Sequence, residues 1–318
     1  MIANTEVLIR SIRHEAEGVL ALELALPKGG LVDEWTPGAH LDVILPSGTV
    51  RQYSLCSDPA DLSSYRVAVL REREGRGGSE EIHTQLRVGQ TLRVQGLRNH
   101  FKLDEDAQNY LLVAGGIGIT PILSMARKLK ARGKNVTVIY SGASRKTMAF
   151  VEELQAVAVD VKLFPKDETG RADLRALVSQ APKGTHVYAC GPKALLEELE
   201  AITTEILGAD SYHQEHFNAT VSKEALEGDR ASFEVELTKT GTTLTVTEEQ
   251  SILDAVLEVN SSFMSSCEEG FCGTCEVKVL AGEVDHRDTI LSAKERAKND
   301  TMFICVSRAK CSKLVIEA

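Results

Sequence analysis

The residues in this chain best equipped for chemistry are its cysteines: Cys56, Cys190, Cys267, Cys272, Cys275, Cys305 and Cys311. The last five crowd the C-terminal end, and three of them stand at C-x4-C-x2-C spacing, with Cys305 well downstream. That pattern is the plant-type arrangement for a [2Fe–2S] cluster, in which thiolates from one short loop converge on a compact inorganic body. Gly270 and Gly273 within the loop let the backbone wrap closely and leave N–H groups free to face sulfide. Zinc is the rival, but zinc sites favour paired C-x2–4-C knuckles, and the segment offers one such pair. The expected ligands are Cys267, Cys272, Cys275 and Cys305, with Cys311 left over as a spare thiol.

The segment Ser266–Cys275 resembles the C-terminal ferredoxin domain of the phthalate dioxygenase reductase family. The resemblance covers essentially the whole chain and implies a multidomain protein in a fixed order. An antiparallel β-barrel flavin domain (1–104) comes first, then an α/β parallel-sheet nicotinamide domain (105–222), then an α+β β-grasp ferredoxin domain (230–318).

Two motifs fit the flavin segment. Arg51-Gln52-Tyr53-Ser54 matches the R-x-Y-S signature of ferredoxin-reductase-like flavin domains. An arginine suits a flavin phosphate by bidentate contact, a tyrosine packs along the ring or ribityl chain, and a serine hydroxyl reaches the ring edge. Taken singly, the motif also fits an ordinary strand. Gly77-Gly78-Ser79 stands before a helix-forming stretch, where bare N–H groups and the helix dipole suit a phosphate; Arg73 or Arg76 would add charge. By resemblance the glycine stretch takes the terminal phosphate of FMN, which leaves no place for the AMP half of FAD.

Gly115-Gly116-Ile117-Gly118-Ile119-Thr120-Pro121 follows a strand pattern and opens a helix, so a pyrophosphate can approach its backbone; Pro121 is tolerated in a first turn. It is similar to the G-G-x-G-x-T-P stretch of the ferredoxin-reductase superfamily. Cys190-Gly191-Pro192 resembles the motif that puts a cysteine beside nicotinamide C4. Glu215-His216-Phe217 looks like the family's closing aromatic segment, with Phe217 expected to stack on the flavin, although a core aromatic at a domain junction fits too. Ser54, Cys190 and Phe217 are the expected catalytic residues. The family leans to NADH; Ser144-Arg145-Lys146 after the second strand could instead take a 2′-phosphate, and the choice stays open.

The elements that must position these groups are legible as texture. Up to Leu103, short strands (Val7–Ile9, Val19–Leu24, Leu41–Leu45, Tyr65–Leu70, Thr91–Gln95) alternate with turn residues, which suggests a small antiparallel barrel. From Asn109, apolar strands alternate with longer helices, as in a parallel α/β sheet. Val221–Arg230 reads as a linker. Beyond it, Thr240-Gly241 signals a hairpin, and Ser251 with Asp254 opens a helix whose apolar face is Ile252, Ala255, Val256 and Val259.

Bulk composition closes off other classes. A net charge of −10 argues against non-specific nucleic-acid binding, and no apolar run of about eighteen residues exists to span a membrane. Met1–Arg13 lacks the apolar core of a signal peptide, so a cytoplasmic monomer is expected. No 2-His-1-carboxylate cluster for oxygen chemistry is evident. By resemblance, a hydride passes from NAD(P)H to FMN, and single electrons leave through [2Fe–2S] to a terminal oxygenase, a Rieske-type aromatic oxygenase or O-demethylase. A bacterial cytochrome P450 is the next acceptor. A stand-alone diaphorase and a redox-sensing protein are the alternatives, and exposed Glu268 and Glu269 would suit a basic partner.

Overall fold

The computed structural model describes residues 4–157, 160–217 and 231–318; the linker expected over Val221–Arg230 lies outside them. The chain divides into two compact units, Met1–Glu215 and His216–Ala318.

The first unit holds two sheets. Strands β1 (Thr5–Ala16), β2 (Val19–Ala25), β3 (His40–Ile44), β4 (Val50–Ser54), β5 (Tyr65–Leu70) and β6 (Thr91–Arg98) form an antiparallel sheet in the order β4-β3-β6-β1-β2-β5. An antiparallel bridge between Leu55 and Val67 joins its two edges, which closes the barrel and removes free edges. Val7, Ile9, Leu22, Leu24, Leu41, Val43, Val67 and Val94 fill it. Gly18, at φ 77°, makes the tight β1–β2 turn, a conformation that suits a residue without Cβ. Helix α1 (Gly78–Gln85) lies between β5 and β6.

The second sheet is wholly parallel: β7 (Asn109–Gly115), β8 (Asn135–Gly142), β9 (Asp160–Pro165), β10 (Thr185–Cys190) and β11 (Tyr212–Glu215). The order is β11-β10-β7-β8-β9. Helices α2 (Ile119–Ala131), α3 (Val151–Val157), α4 (Lys166–Thr169), α5 (Leu174–Ser179) and α6 (Lys193–Ile206) occupy the connections. Tyr110 to Ala114 on the central β7 are all buried, as a strand covered on both faces requires. The chain builds outward from β7 to β9, then returns to β7's other side with β10, so the winding reverses between β7 and β10. In open α/β sheets that reversal leaves a crevice beyond the carboxyl ends of the strands. Glu153 on α3 receives Arg66 of the barrel at 2.7 Å and Arg13 at 2.9 Å, with Arg127 of α2 on the same carboxylate. This shared anion pins the two sheets of the unit together.

The second unit is a mixed sheet in the order β13-β12-β18-β14-β16, from β12 (Phe233–Leu237), β13 (Thr242–Val246), β14 (Glu276–Ala281), β16 (Thr301–Phe303) and β18 (Lys313–Ile316), with a small ladder of β15 (Val284–Asp285) and β17 (Arg308–Ala309). The hairpin turns at Gly241, φ 68°. The helix Ile252–Val259 is opened by a capping box in which Asp254 N–H donates to Ser251 Oγ at 3.0 Å. Ile252, Leu253, Ala255 and Val256 are buried under it, but Val259 is 51% exposed. The expected inclusion of Val259 in the apolar face is thus corrected. It keeps the helical period, but as the last helical residue it runs past the core.

Candidate functional site

The flavin motif sits where strand and helix meet. β4 pairs with β3 at Val43↔Arg51, Leu41↔Tyr53 and His40↔Ser54, and it presents Arg51 and Tyr53 half-buried with Ser54 buried. Arg51 donates to Arg76 O and Val50 O, both at 2.8 Å, which draws the guanidinium over the start of α1. A Cβ on Gly78 would lie 2.7 Å from Arg51 Nε and 2.8 Å from its Cγ, so a side chain there would push the arginine off the helix mouth. Gly77, at φ 80°, turns the chain into that helix. Ser79 Oγ accepts from Glu72 N–H at 3.0 Å and ties the incoming loop down.

The two carboxylates of the first turn of α1 are engaged elsewhere. Glu80 pairs with Arg71 at 2.6 Å, and Glu81 accepts from Ser47 Oγ at 2.6 Å. Burial first, then the neighbouring charge of Arg76, lowers the pKa of Arg51. Two like charges beside a helix N-terminus form an environment completed by an anion, so this cradle fits a phosphate.

The nicotinamide motifs meet at the winding reversal. β7 runs into a single tight turn, Gly116–Gly118, and then α2; β10 runs into Gly191-Pro192 and then α6. A Cβ on Gly118 would stand 2.2 Å from Cys190 O, and one on Gly115 would stand 2.6 Å from Pro192 Cδ. The two loops therefore press backbone to backbone, and side chains there would force adjacent strands apart. Thr120, buried, donates to Ile117 O at 3.0 Å and braces the turn. Arg145 and Lys146 are exposed in the turn after β8, and Arg145 pairs with Glu168 at 2.9 Å.

One residue links these regions. Parallel pairing sets Glu215 of β11 beside Cys190 of β10, and Ser54 Oγ donates to Glu215 Oε2 at 3.3 Å. Glu215 is half-buried as a residue, but its carboxyl faces inward. Burial pushes it up to about 8 against the opposing hydrogen bond from Ser54. Burial and the nearby Glu215 likewise push the Cys190 thiol up, so it is a neutral packing group and not a nucleophile. Sequence reasoning had Ser54 and Cys190 but took Glu215 only as part of a closing segment. Phe217 is half-buried and belongs to the second unit.

In that second unit Cys267, Cys272, Cys275 and Cys305 are all buried. The first three lie in an irregular loop after the helix Ile252–Val259, and Cys305 follows β16. The loop turns through positive φ at Glu268, Gly270 and Gly273. A Cβ on Gly270 would stand 2.7 Å from Val306 Cγ2, and Glu269 N–H donates to Cys267 Sγ at 3.4 Å. Pairing of Glu276 with Phe303 brings the fourth ligand beside the third. Sulfur contacts link Cys267 with Cys272 and Cys305 with both Cys275 and Cys267; those to Cys267 lower its pKa. Among the described residues no group of three His, Cys, Asp or Glu is arranged to chelate a single metal ion. The contacts join the four thiols in one run, 272–267–305–275, so all four converge on one compact body, and the quartet fits a [2Fe–2S] cluster. Cys311 stands apart, accepting from Glu283 N–H at 3.2 Å.

A barrel with a phosphate cradle, a parallel sheet with a crevice at its winding reversal and a cysteine-lined ferredoxin fold define an electron-transfer oxidoreductase of the flavin, nicotinamide and iron–sulfur class. Comparison with known proteins agrees. Residues 235–310 match the 2Fe-2S iron-sulfur cluster binding domain, and residues 90–212 match the N-terminal domain of the dimethylamine monooxygenase subunit DmmA-like family. The phenoxybenzoate dioxygenase subunit beta of Ectopseudomonas oleovorans is 40% identical over 316 residues, covering 99% of this chain and 98% of its own. The solved structure of phthalate dioxygenase reductase, described as modular for electron transfer from pyridine nucleotides to [2Fe–2S], is 35% identical with a TM-score of 0.72, over 99% of this chain and 98% of that one. An intact type IV self-sufficient cytochrome P450 monooxygenase matches at TM-score 0.92 and 43% identity over 99% of this chain, which spans 41% of the P450 chain. The chain belongs to the phthalate dioxygenase reductase family. Its C-terminal domain is one that binds a [2Fe–2S] cluster. Among the described residues no helix is long and apolar enough to cross a membrane.

Proposed function

We propose that this chain is the reductase component of a multicomponent Rieske-type oxygenase or demethylase, acting as a cytoplasmic monomer that takes reducing equivalents from NAD(P)H and delivers them singly to a separate terminal oxygenase. The observation that carries the reading is the convergence of Ser54, Cys190 and Glu215 at the nicotinamide crevice of a chain that also holds a cysteine quartet. Hydride entry and single-electron exit then reside in one polypeptide. Bound FMN and cluster supply the conversion from two-electron to one-electron chemistry.

The protein's own groups bind and orient. Arg51 and the backbone of Gly77, Gly78 and Ser79 hold the flavin phosphate, while Tyr53 lies along the flavin. Gly115, Gly116, Gly118, Thr120 and Pro121, with Gly191 and Pro192, give the dinucleotide backbone access. Cys190 packs against the nicotinamide. Ser54 Oγ and the protonated Glu215 keep a hydrogen-bonded proton at the reacting edge without adding charge there. Cys267, Cys272, Cys275 and Cys305 ligate the cluster.

The test is reduction of cytochrome c and of ferricyanide by NADH, together with mass analysis of the heat-released chromophore. FMN, with steady flux to both acceptors, is expected. Recovery of FAD overturns the phosphate assignment, and absence of flux overturns the enzyme. The likeness to the P450 chain favours a second reading, a P450 acceptor; reconstitution with a Rieske-type oxygenase and, separately, with a bacterial P450 separates the two.

A further inference from the structure

A buried ionisable pair stands behind the cluster loop, outside the cysteine quartet. The side chains of His286 and Asp288 are 8% and 0% exposed, and His286 Nδ1 lies 3.7 Å from Asp288 Oδ1. That distance is too long for a hydrogen bond. Among the described residues, neither imidazole nitrogen nor Asp288 Oδ1 has a hydrogen-bond partner, an arrangement that costs stability in a dry interior. The other carboxylate oxygen is satisfied, accepting from Leu291 N–H at 2.8 Å and Ile290 N–H at 3.1 Å, so Asp288 is fixed in place.

The segment bearing this pair is fastened to both ligand-bearing stretches. Thr289 N–H donates to Gly270 O at 3.0 Å, inside the three-cysteine loop. Arg287 N–H donates to Ser307 Oγ at 3.3 Å, just past Cys305, and Val284–Asp285 pairs with Arg308–Ala309. A Cβ on Gly270 would come within 3.2 Å of Asp288 Cα. The segment is thus joined by backbone to both stretches that carry the cysteines, and a charge placed among those thiolates acts on a pair that is itself shielded from water.

We infer that His286 takes up a proton when the cluster receives an electron and gives it back when the electron leaves. The cluster gains one electron by way of the flavin. One imidazole nitrogen gains one proton from water, and the imidazolium then makes the ion pair with Asp288 that the neutral ring does not. Burial, with Arg296 and Lys310 nearby, holds His286 below its ordinary pKa, and Asp288 opposes them. The Asp285–Arg287 pair on the same segment, at 2.7 Å, is neutral overall. An added negative charge on the cluster favours the imidazolium, and by reciprocity the imidazolium favours the reduced cluster. The inference rests on the cluster assignment and extends it to a positioning pair that tunes the potential at which electrons leave.

The test is an EPR-monitored redox titration of the full-length, cofactor-loaded protein from about pH 5 to 8, the range in which histidine titrates. In the wild type the cluster's reduction equilibrium should weaken as pH rises through part of that range, approaching tenfold per pH unit, about 59 mV for one electron. His286→Gln should keep the EPR signal and lose the slope, and Asp288→Asn should move the sloping range to lower pH. A flat wild-type potential, or an equal slope in His286→Gln, overturns the inference whatever else the variants do. Failure of the underlying cluster assignment would look different, as no reduced-cluster signal at all.

Discussion

The two units assemble their chemistry in opposite ways. In the second, three of four ligands come from one loop, and the fourth is brought to them by a single strand pair. In the first, Arg51 and Ser54 of β4, Gly118, Cys190 and Glu215 come from four separated stretches, and nothing local brings those stretches together. The ferredoxin unit thus carries its function in local spacing, with glycines at 270 and 273 relieving the turns. The reductase unit carries it in topology, because the winding reversal at β7 and β10 makes the crevice. Loss of a ligand should therefore be all-or-none and confined to the exit, whereas changes in the crevice should be graded and felt at entry.

The sharpest way to break that contrast is Cys272→Ser. Cytochrome c reduction should vanish, while NADH–ferricyanide activity, which needs only flavin and nucleotide, should stay within about twofold. If both activities persist, the proposed electron path is wrong. Gly118→Ala should do the reverse and depress both activities together, because its Cβ would stand 2.2 Å from Cys190 O. Backbone opposes backbone there, so relief requires separating β7 from β10. Overpacking of this kind costs about 1–3 kcal/mol, readable as a lowered Tm alongside a raised KM for NADH. Arg51→Ala sits between these in character. It should weaken FMN about tenfold to a hundredfold, the worth of a charge-assisted contact of about 1.5–3 kcal/mol, and added FMN should restore activity.

Glu215 gives a graded prediction with a sign. Its carboxyl is held up to about 8 by burial against an ordinary value of 4.5, so the folded state keeps a proton that the unfolded chain gives up. Its stabilising contribution is complete below the ordinary value and is lost as pH rises from there through about 8. The Tm difference between wild type and Glu215→Gln should shrink and then reverse over that window. NADH–ferricyanide turnover should decline near pH 8 in the wild type and stay level there in the variant. Identical pH profiles would remove Glu215 from the crevice chemistry.

Glu215 also marks what the sequence could not reveal. Cys267-x4-Cys272-x2-Cys275 is legible because its meaning lies in spacing along the chain, and the glycine turn before α2 is legible for the same reason. Glu215 becomes a site residue only through parallel pairing with Cys190 and the approach of Ser54 from the barrel, two non-local facts absent from any short window. His286 and Asp288 were hidden likewise. Their role depends on burial beside each other, and burial cannot be read from residue type when the residues are polar.

Val259 supplies the smallest test. Periodicity put it on the buried face with Ile252, Ala255 and Val256, and the helical angle does place it there. Yet it is 51% exposed, while Val256 is 1%. Period fixes direction and not depth, so a terminal residue can point towards a core that has already ended. Val259→Ser should change stability by less than about 0.5 kcal/mol, as surface substitutions usually do. Val256→Ala, on the same face one turn earlier, should cost about 1–3 kcal/mol by opening a cavity in the core to which Val256 belongs. Chemical denaturation of the cluster-loaded protein, followed through the visible absorption of the iron–sulfur unit, reads both. Equal costs at the two positions would mean that the helix end is packed after all.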